Sequence, residues 1–136
     1  MNVIPVTGDG QLVMIRQFRF GTWSVTLEIP GGMIDEGEEP AVAGARELEE
    51  ETGYRAGRLI SLGWCHPNPA LLTNRLHCFL ALDCEPVHAG APDEGEDIGV
   101  ELHSRARVQQ LLREGQITHC AVITAFYLEQ LRGPGR

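Results

Sequence analysis

Residues 31–54, GGMIDEGEEPAVAGARELEEETGY, open on a glycine-rich turn and close on a helix-forming run with four carboxylates in five positions, Glu47, Glu49, Glu50 and Glu51. Pro40 suits the first helical turn, where a missing N–H loses no partner, and Gly53 suits the stop, where a left-handed residue closes the helix. At about 100° per residue, Glu51 lies about 40° to one side of Glu47 and Glu50 about 60° to the other, so these three acids share a face. Ala41, Ala45, Leu48 and Thr52 fall on a different face, suited to rest against a sheet.

Like charges at this spacing repel by roughly a few tenths of a kcal/mol per pair, so the arrangement is a liability without a compensating cation. Arg46 can pair with Glu50 but cannot neutralise three acids; a divalent metal can. Hard oxygen donors with no Cys or His cluster beside them point to Mg²⁺ or Mn²⁺, bound through a few carboxylates plus the phosphates of a substrate. The plain alternative is a solvated acidic helix face.

Gly32, five residues, Glu38, seven residues, then Arg46-Glu47-Leu48-Glu49-Glu50-Glu51-Thr52-Gly53-Tyr54 resembles the complete Nudix box of the Nudix hydrolase family, with Tyr54 at a usually aliphatic position. The resemblance implies an α/β fold, the Nudix-type α/β/α sandwich with a mixed β-sheet, and hydrolysis of a nucleoside diphosphate linked to another group. It implies that Glu47, Glu50 and Glu51 serve Mg²⁺, with Mn²⁺ as substitute, that Glu50 and Glu51 thereby act in catalysis, and that a backbone carbonyl near Gly31 is a further ligand. By the same likeness Glu38 supports the loop–helix geometry through a salt bridge with Arg46, and Gly32 and Gly53 complete the framework.

Two further stretches carry the resemblance. Glu28-Ile29-Pro30-Gly31-Gly32 is similar to the lead-in of the ADP-ribose and nucleotide-sugar pyrophosphatase branch, which raises Glu28 and Arg16 as substrate-binding residues. Asp93-Glu94-Gly95-Glu96-Asp97 is similar to the mobile loop before the last long strand in that branch. On that likeness Glu94 is the general base and Glu96 reaches an additional metal, with Glu96 the competitor for the base. Other functions stay open: hydrolysis of nucleoside triphosphates or another dinucleotide, or nucleotide binding without turnover.

With 136 residues and 43% hydrophobic content, residues 1–136 are expected to form a single domain with a real core. A formal charge of -8, from 19 acidic and 11 basic side chains, argues against a nucleic-acid backbone or an anionic membrane as partner. A small nucleotide remains compatible, because bound metals rather than net charge set the local field. No positively charged leader precedes an apolar run, and no apolar stretch is long enough to span a bilayer. Cys65, Cys78, Cys84 and Cys120 form no CxxC pair and read as reduced core or near-core thiols of a cytoplasmic protein.

Along the chain, alternation and turn chemistry predict strands over 2–7, 12–20, 23–29, 59–64, 76–82 and 98–102, the first two forming a hairpin through Gly8-Asp9-Gly10. This hairpin is expected to leave little room for a domain ahead of it. Helical spacing follows over 103–114 and 117–131, as sheet cover or as a subunit contact consistent with a homodimer. Arg16 and Arg19 either grip a phosphate or base or are charged residues on an exposed strand face. Arg75, at a strand entrance beside the proline-containing loop 65–73, meets either a phosphate or ribose or a salt-bridge partner. His66 reads as a loop or substrate-proximal residue rather than a ligand, and His119 as a cap or surface residue.

Overall fold

The computed structural model describes residues 1–90 and 97–133. Their elements run β1 (Asn2–Thr7), β2 (Gln11–Arg19), β3 (Ser24–Glu28), α1 (Pro40–Thr52), β4 (Tyr54–Arg55), β5 (Arg58–Cys65), β6 (Leu76–Pro86), β7 (Ile98–Ser104), α2 (Arg105–Arg113) and α3 (Cys120–Arg132). β1 lies parallel to β6, from Asn2 opposite Cys78 to Thr7 opposite Cys84, while the other strand pairs are antiparallel. The sheet is therefore mixed. The hairpin is shorter than expected: only Val6 faces Leu12 between β1 and β2. β2 finds its main partners in β3 and β7, with Ile15 opposite Glu28 on one side and Val100 on the other.

The two-residue period of the strands sorts the apolar side chains into two cores. Val3, Phe79 and Ala81 meet Ala43 and Leu48 of α1. Ile4 and Cys78, one residue away on the same two strands, turn to the other side with Val108 and Leu111 of α2 and Val122 and Ala125 of α3. A helix layer thus covers each face, giving the α/β/α sandwich. Each fully buried aliphatic side chain contributes roughly 1.5–3 kcal/mol, so both layers are held firmly.

Pro40 opens α1, and Gly53 closes it at φ 73° with its N–H donating to the Glu49 carbonyl at 2.8 Å. The buried face, however, comprises Ala43, Gly44, Leu48, Glu51 and Thr52, whereas Ala41 and Ala45 are exposed. Gly44 explains the rotation. A Cβ there would already stand 3.4 Å from Phe79 and from Val3, so its absence lets the helix settle with this edge down and draws Glu51 inward.

Other boundaries also moved. His103 stays in β7 opposite Leu12, and α2 begins only after Ser104, whose Oγ accepts from the Arg107 N–H at 3.2 Å. α3 starts at Cys120 rather than Ile117. Cys78 and Cys84 are buried and Cys65 half-buried, but Cys120, at the first position of α3, is exposed and no core residue. Among the described residues no helix is long and apolar enough to cross a membrane.

Candidate active site

After β3 the chain is clamped against β1. The Pro30 carbonyl accepts from Val3 N at 2.9 Å, and the Met1 carbonyl accepts from Gly32 N at 3.1 Å. A Cβ on Gly31 would lie 2.6 Å from the Met1 carbonyl oxygen, and one on Gly32 would lie 2.3 Å from Glu47 Oε1. At Gly31 the obstruction is backbone, so only glycine fits there; at Gly32 it is the end of the Glu47 side chain, which would have to move.

The turn and α1 are tied together by the acids. Gly31 N donates to Glu51 Oε2 at 2.9 Å, and Glu51 is only 4% exposed. Arg46 grips Glu38 through two parallel bonds of 3.0 Å, and its remaining Nη1 reaches Glu47 Oε1 at 3.0 Å and Glu50 Oε2 at 2.9 Å. Hydrogen bonding to Glu38 raises the Arg46 guanidinium above its ordinary value, and the same bonds hold the Glu38 carboxyl below its own. Glu49 points elsewhere, paired with Arg55 at 2.8 Å and facing His88 at 3.4 Å.

Arg46 therefore engages two of the three acids that share its side of the helix, while a peptide N–H satisfies the third. Among the described residues no three His, Cys, Asp or Glu side chains converge at ion-binding distance. The donor set is nonetheless all oxygen, with Glu47 and Glu50 meeting at one guanidinium nitrogen and Glu47 packed in the space beside Gly32. That chemistry fits a hard divalent cation.

Glu47, Glu50, Arg46, Gly31 and Gly32 line a cavity of about 750 Å³. Gln17, Arg19 and Glu28 line the same cavity, as do Asn2, His119 and Ala121. Glu28 is 2% exposed and is held by Arg19 Nε and Nη2 at 2.9 and 2.8 Å and by Thr26 Oγ1 at 2.6 Å. Burial pushes its carboxyl up, yet the bonds from Arg19 and Thr26, together with the field of His119, outweigh burial and leave it below the usual carboxylate value.

Asn2 Nδ2 donates to the Ala121 carbonyl at 2.7 Å. Its Oδ1, like His119 Nδ1, is buried without a hydrogen-bond partner among the described residues. A buried polar atom left unpaired costs about 1–3 kcal/mol, a cost concentrated here along a single cavity. His119 occupies the N-cap position of α3 but makes no side-chain cap. Asn2 carried no signal in the sequence, because strand β1 and the start of α3 meet only in the folded chain.

Arg16 and Arg75 are not brought to this cavity. Alternation places Arg16 on the face opposite Gln17 and Arg19, where its Nε binds Glu101 of β7. Arg75 lies over the Trp64 ring, 4.5 Å from its centroid, with His66 edge-on to the same ring. Glu94 and Glu96 lie outside the described residues.

This turn, helix and carboxylate arrangement has counterparts. Residues 1–123 match the NUDIX domain. The chain belongs to the Nudix hydrolase family. A solved ADP compounds hydrolase is similar with a TM-score of 0.85 and 30% identity, covering 99% of this chain and 73% of that one. The ADP compounds hydrolase NudE of Escherichia coli is 30% identical over 98% of this chain and 72% of its own. The ADP-ribose pyrophosphatase of Bacillus subtilis is 40% identical over 58% of this chain and 43% of its own length. GDP-mannose pyrophosphatases of E. coli strains are 32% identical over 78% of this Nudix chain and 59% of theirs. The chain thus spans between about two fifths and three quarters of the relatives it matches.

Proposed function

We propose that this chain hydrolyses the pyrophosphate bond of a nucleoside diphosphate linked to a sugar, ADP-ribose or a related nucleotide sugar, giving a nucleoside monophosphate and a sugar phosphate. The observation that carries this reading is that Glu47 and Glu50 open on the same cavity as the Arg19–Glu28 pair. The helix carboxylates suit a pyrophosphate and its cations; Arg19 and Glu28 offer a fixed guanidinium and carboxylate to the rest of the nucleotide.

Glu47, Glu50 and Glu51, with the carbonyl of Gly31, are the residues that would hold Mg²⁺, or Mn²⁺ in its place. Bound there, such a cation supplies neutralisation of phosphate-oxygen charge and a lowered pKa for water. The chain's own part is positional. Arg46 holds Glu47 and Glu50 together at one nitrogen while its grip on Glu38 fixes the loop. Gly31 N–H holds Glu51 against the turn. Arg19 presents donors toward phosphate or ribose oxygens, with Glu28 keeping the guanidinium in place and accepting from hydroxyl or amino groups. Glu94 takes the proton of the attacking water, and Glu96 adds a carboxylate at the cation site. No covalent nucleophile is required.

The names of the relatives, hydrolases of ADP compounds, ADP-ribose and GDP-mannose, support a nucleotide-sugar substrate. A homodimer belongs to this reading as well: Phe20 and Trp23, 78% and 75% exposed, cluster with Phe18 on the β2–β3 hairpin as an apolar tip. The test is product analysis of ADP-ribose, ADP-glucose, GDP-mannose, UDP-glucose, FAD and nucleoside triphosphates, each with Mg²⁺, Mn²⁺ or EDTA. Metal-dependent release of monophosphate from a nucleotide sugar is expected. Turnover of triphosphates alone would overturn the substrate assignment while leaving the box assignment standing.

A further inference from the structure

A second cleft of about 1060 Å³ lies on the far side of the sheet from α1, between β5 and β6 below and α2 and α3 above. Its floor is apolar, formed by Ile60, Leu80, Leu82, Leu112, Ile123 and Phe126. Its rim is cationic: Arg58, Arg105, Arg113 and Arg132 all line it, four of the chain's 11 basic residues. In a chain of formal charge -8 this concentration runs against the overall field. The single acidic lining residue, Glu129, is already spent on Arg105, with bonds of 2.8 and 2.9 Å. Arg132 donates to the Ser61 carbonyl. Arg58 and Arg113 are exposed and carry no ion pair among the described residues.

We propose that this cleft is a second ligand site, separate from the carboxylate-lined cavity, for a small organic anion with an apolar body. Charge and shape select that class. An apolar floor contributes burial in proportion to area, and guanidiniums at the edge favour a carboxylate, phosphate or sulfonate head bound bidentately. A volume near the upper end of small-molecule pockets, roughly 300–1,000 Å³, admits an aromatic or acyl body of moderate length. A neutral amphiphile gains the floor but nothing from the rim. A second copy of the chain is disfavoured, because a two-fold contact through this face would set the arginine rims against each other.

The experiment titrates the whole chain with 8-anilinonaphthalene-1-sulfonate and follows its fluorescence, then competes with decanoate, decyl phosphate and decanol. Displacement by both anions at concentrations at least about tenfold below decanol is expected, since charge-assisted bonds form only to the anions. Decanoate against decyl phosphate distinguishes the head group. Arg58→Gln combined with Arg113→Gln should weaken anion binding about tenfold or more with an unchanged far-ultraviolet spectrum and melt. Ile123→Glu, at a half-exposed position, should abolish it. Decanol competing as well as decanoate would overturn the proposal. So would full affinity in the double variant, or displacement of the probe by ADP-ribose, which would place it in the other cavity.

Discussion

Replacing Gly32 by alanine tests whether the turn and α1 act as one unit. The new Cβ would lie 2.3 Å from Glu47 Oε1 and 2.7 Å from Oε2, against ordinary contact from 3.4 Å upward. The carboxylate must therefore retreat by about 1 Å, a displacement that the close packing around it does not absorb for free. What yields is the far end of a side chain, so the backbone keeps its course. The stability loss is then the charged hydrogen bond from Arg46 Nη1 to Glu47 Oε1, worth about 1 kcal/mol at this partly exposed pair. In a chain of this size that corresponds to a melting shift of about 4 °C. Activity suffers far more, because an error of about 1 Å in a positioning group costs on the order of a hundredfold in rate. The assay is turnover of the best nucleotide sugar at saturating Mg²⁺, beside a thermal melt. Undiminished turnover would refute the role of Glu47, and a melting loss far beyond about 4 °C would show that the backbone, not the carboxylate, had moved.

Gly53→Ala should behave in the opposite way: with φ at 73° and a Cβ that would stand 2.1 Å from the His88 carbonyl oxygen, it is expected to cost at least about 3 kcal/mol in denaturant unfolding. Arg19→Met strands the carboxylate of Glu28, whose side chain is 3% exposed, and should destabilise by about 3 kcal/mol. Its pH signature differs too. In the parent the folded carboxyl is depressed, so its stabilisation is full above the ordinary carboxylate range and is lost as pH falls through the lower folded value. In the variant burial dominates, the folded value rises, and stability measured by denaturant titration should increase on acidification. Thiol labelling should modify Cys120 first and Cys65 more slowly in the folded chain. Cys78 and Cys84, pushed by burial up to about 12 and about 11, should react only on unfolding, and protection of both in a strong denaturant would contradict the assignment.

The carboxylate spacing, the proline at the start of α1 and the glycine at its end were legible because each acts within a few residues. The Glu38–Arg46 pair was legible only through resemblance, since seven residues of turn and helix separate the partners. What the sequence hid depends on distant contacts. The buried edge of α1 is decided by Gly44 against Val3 and Phe79, which no helical period reveals. Arg16 and Arg19 look alike in a list of basic residues, yet three positions along a strand put them on opposite faces. Arg75 is held by Trp64 across the β5–β6 pair, and Asn2 meets Ala121, 119 positions further along the chain.

The parallel pairing of β1 with β6 bears on the order in which this molecule can assemble. β1 is made before β6, but its neighbour in sequence offers it one facing pair, Val6 with Leu12. Its lasting partner begins at Leu76, so β1 must wait until that distant strand has been made. Such distant closure is slow. α1, though synthesised earlier, rests on Val3 of β1 and Phe79 of β6 and has no floor until they join. Pulse-labelled amide exchange during refolding should therefore show the β2–β3 hairpin protected before α1. The glutamates of the box would then take their places only at the close of folding, which keeps a half-made chain from presenting a finished catalytic surface.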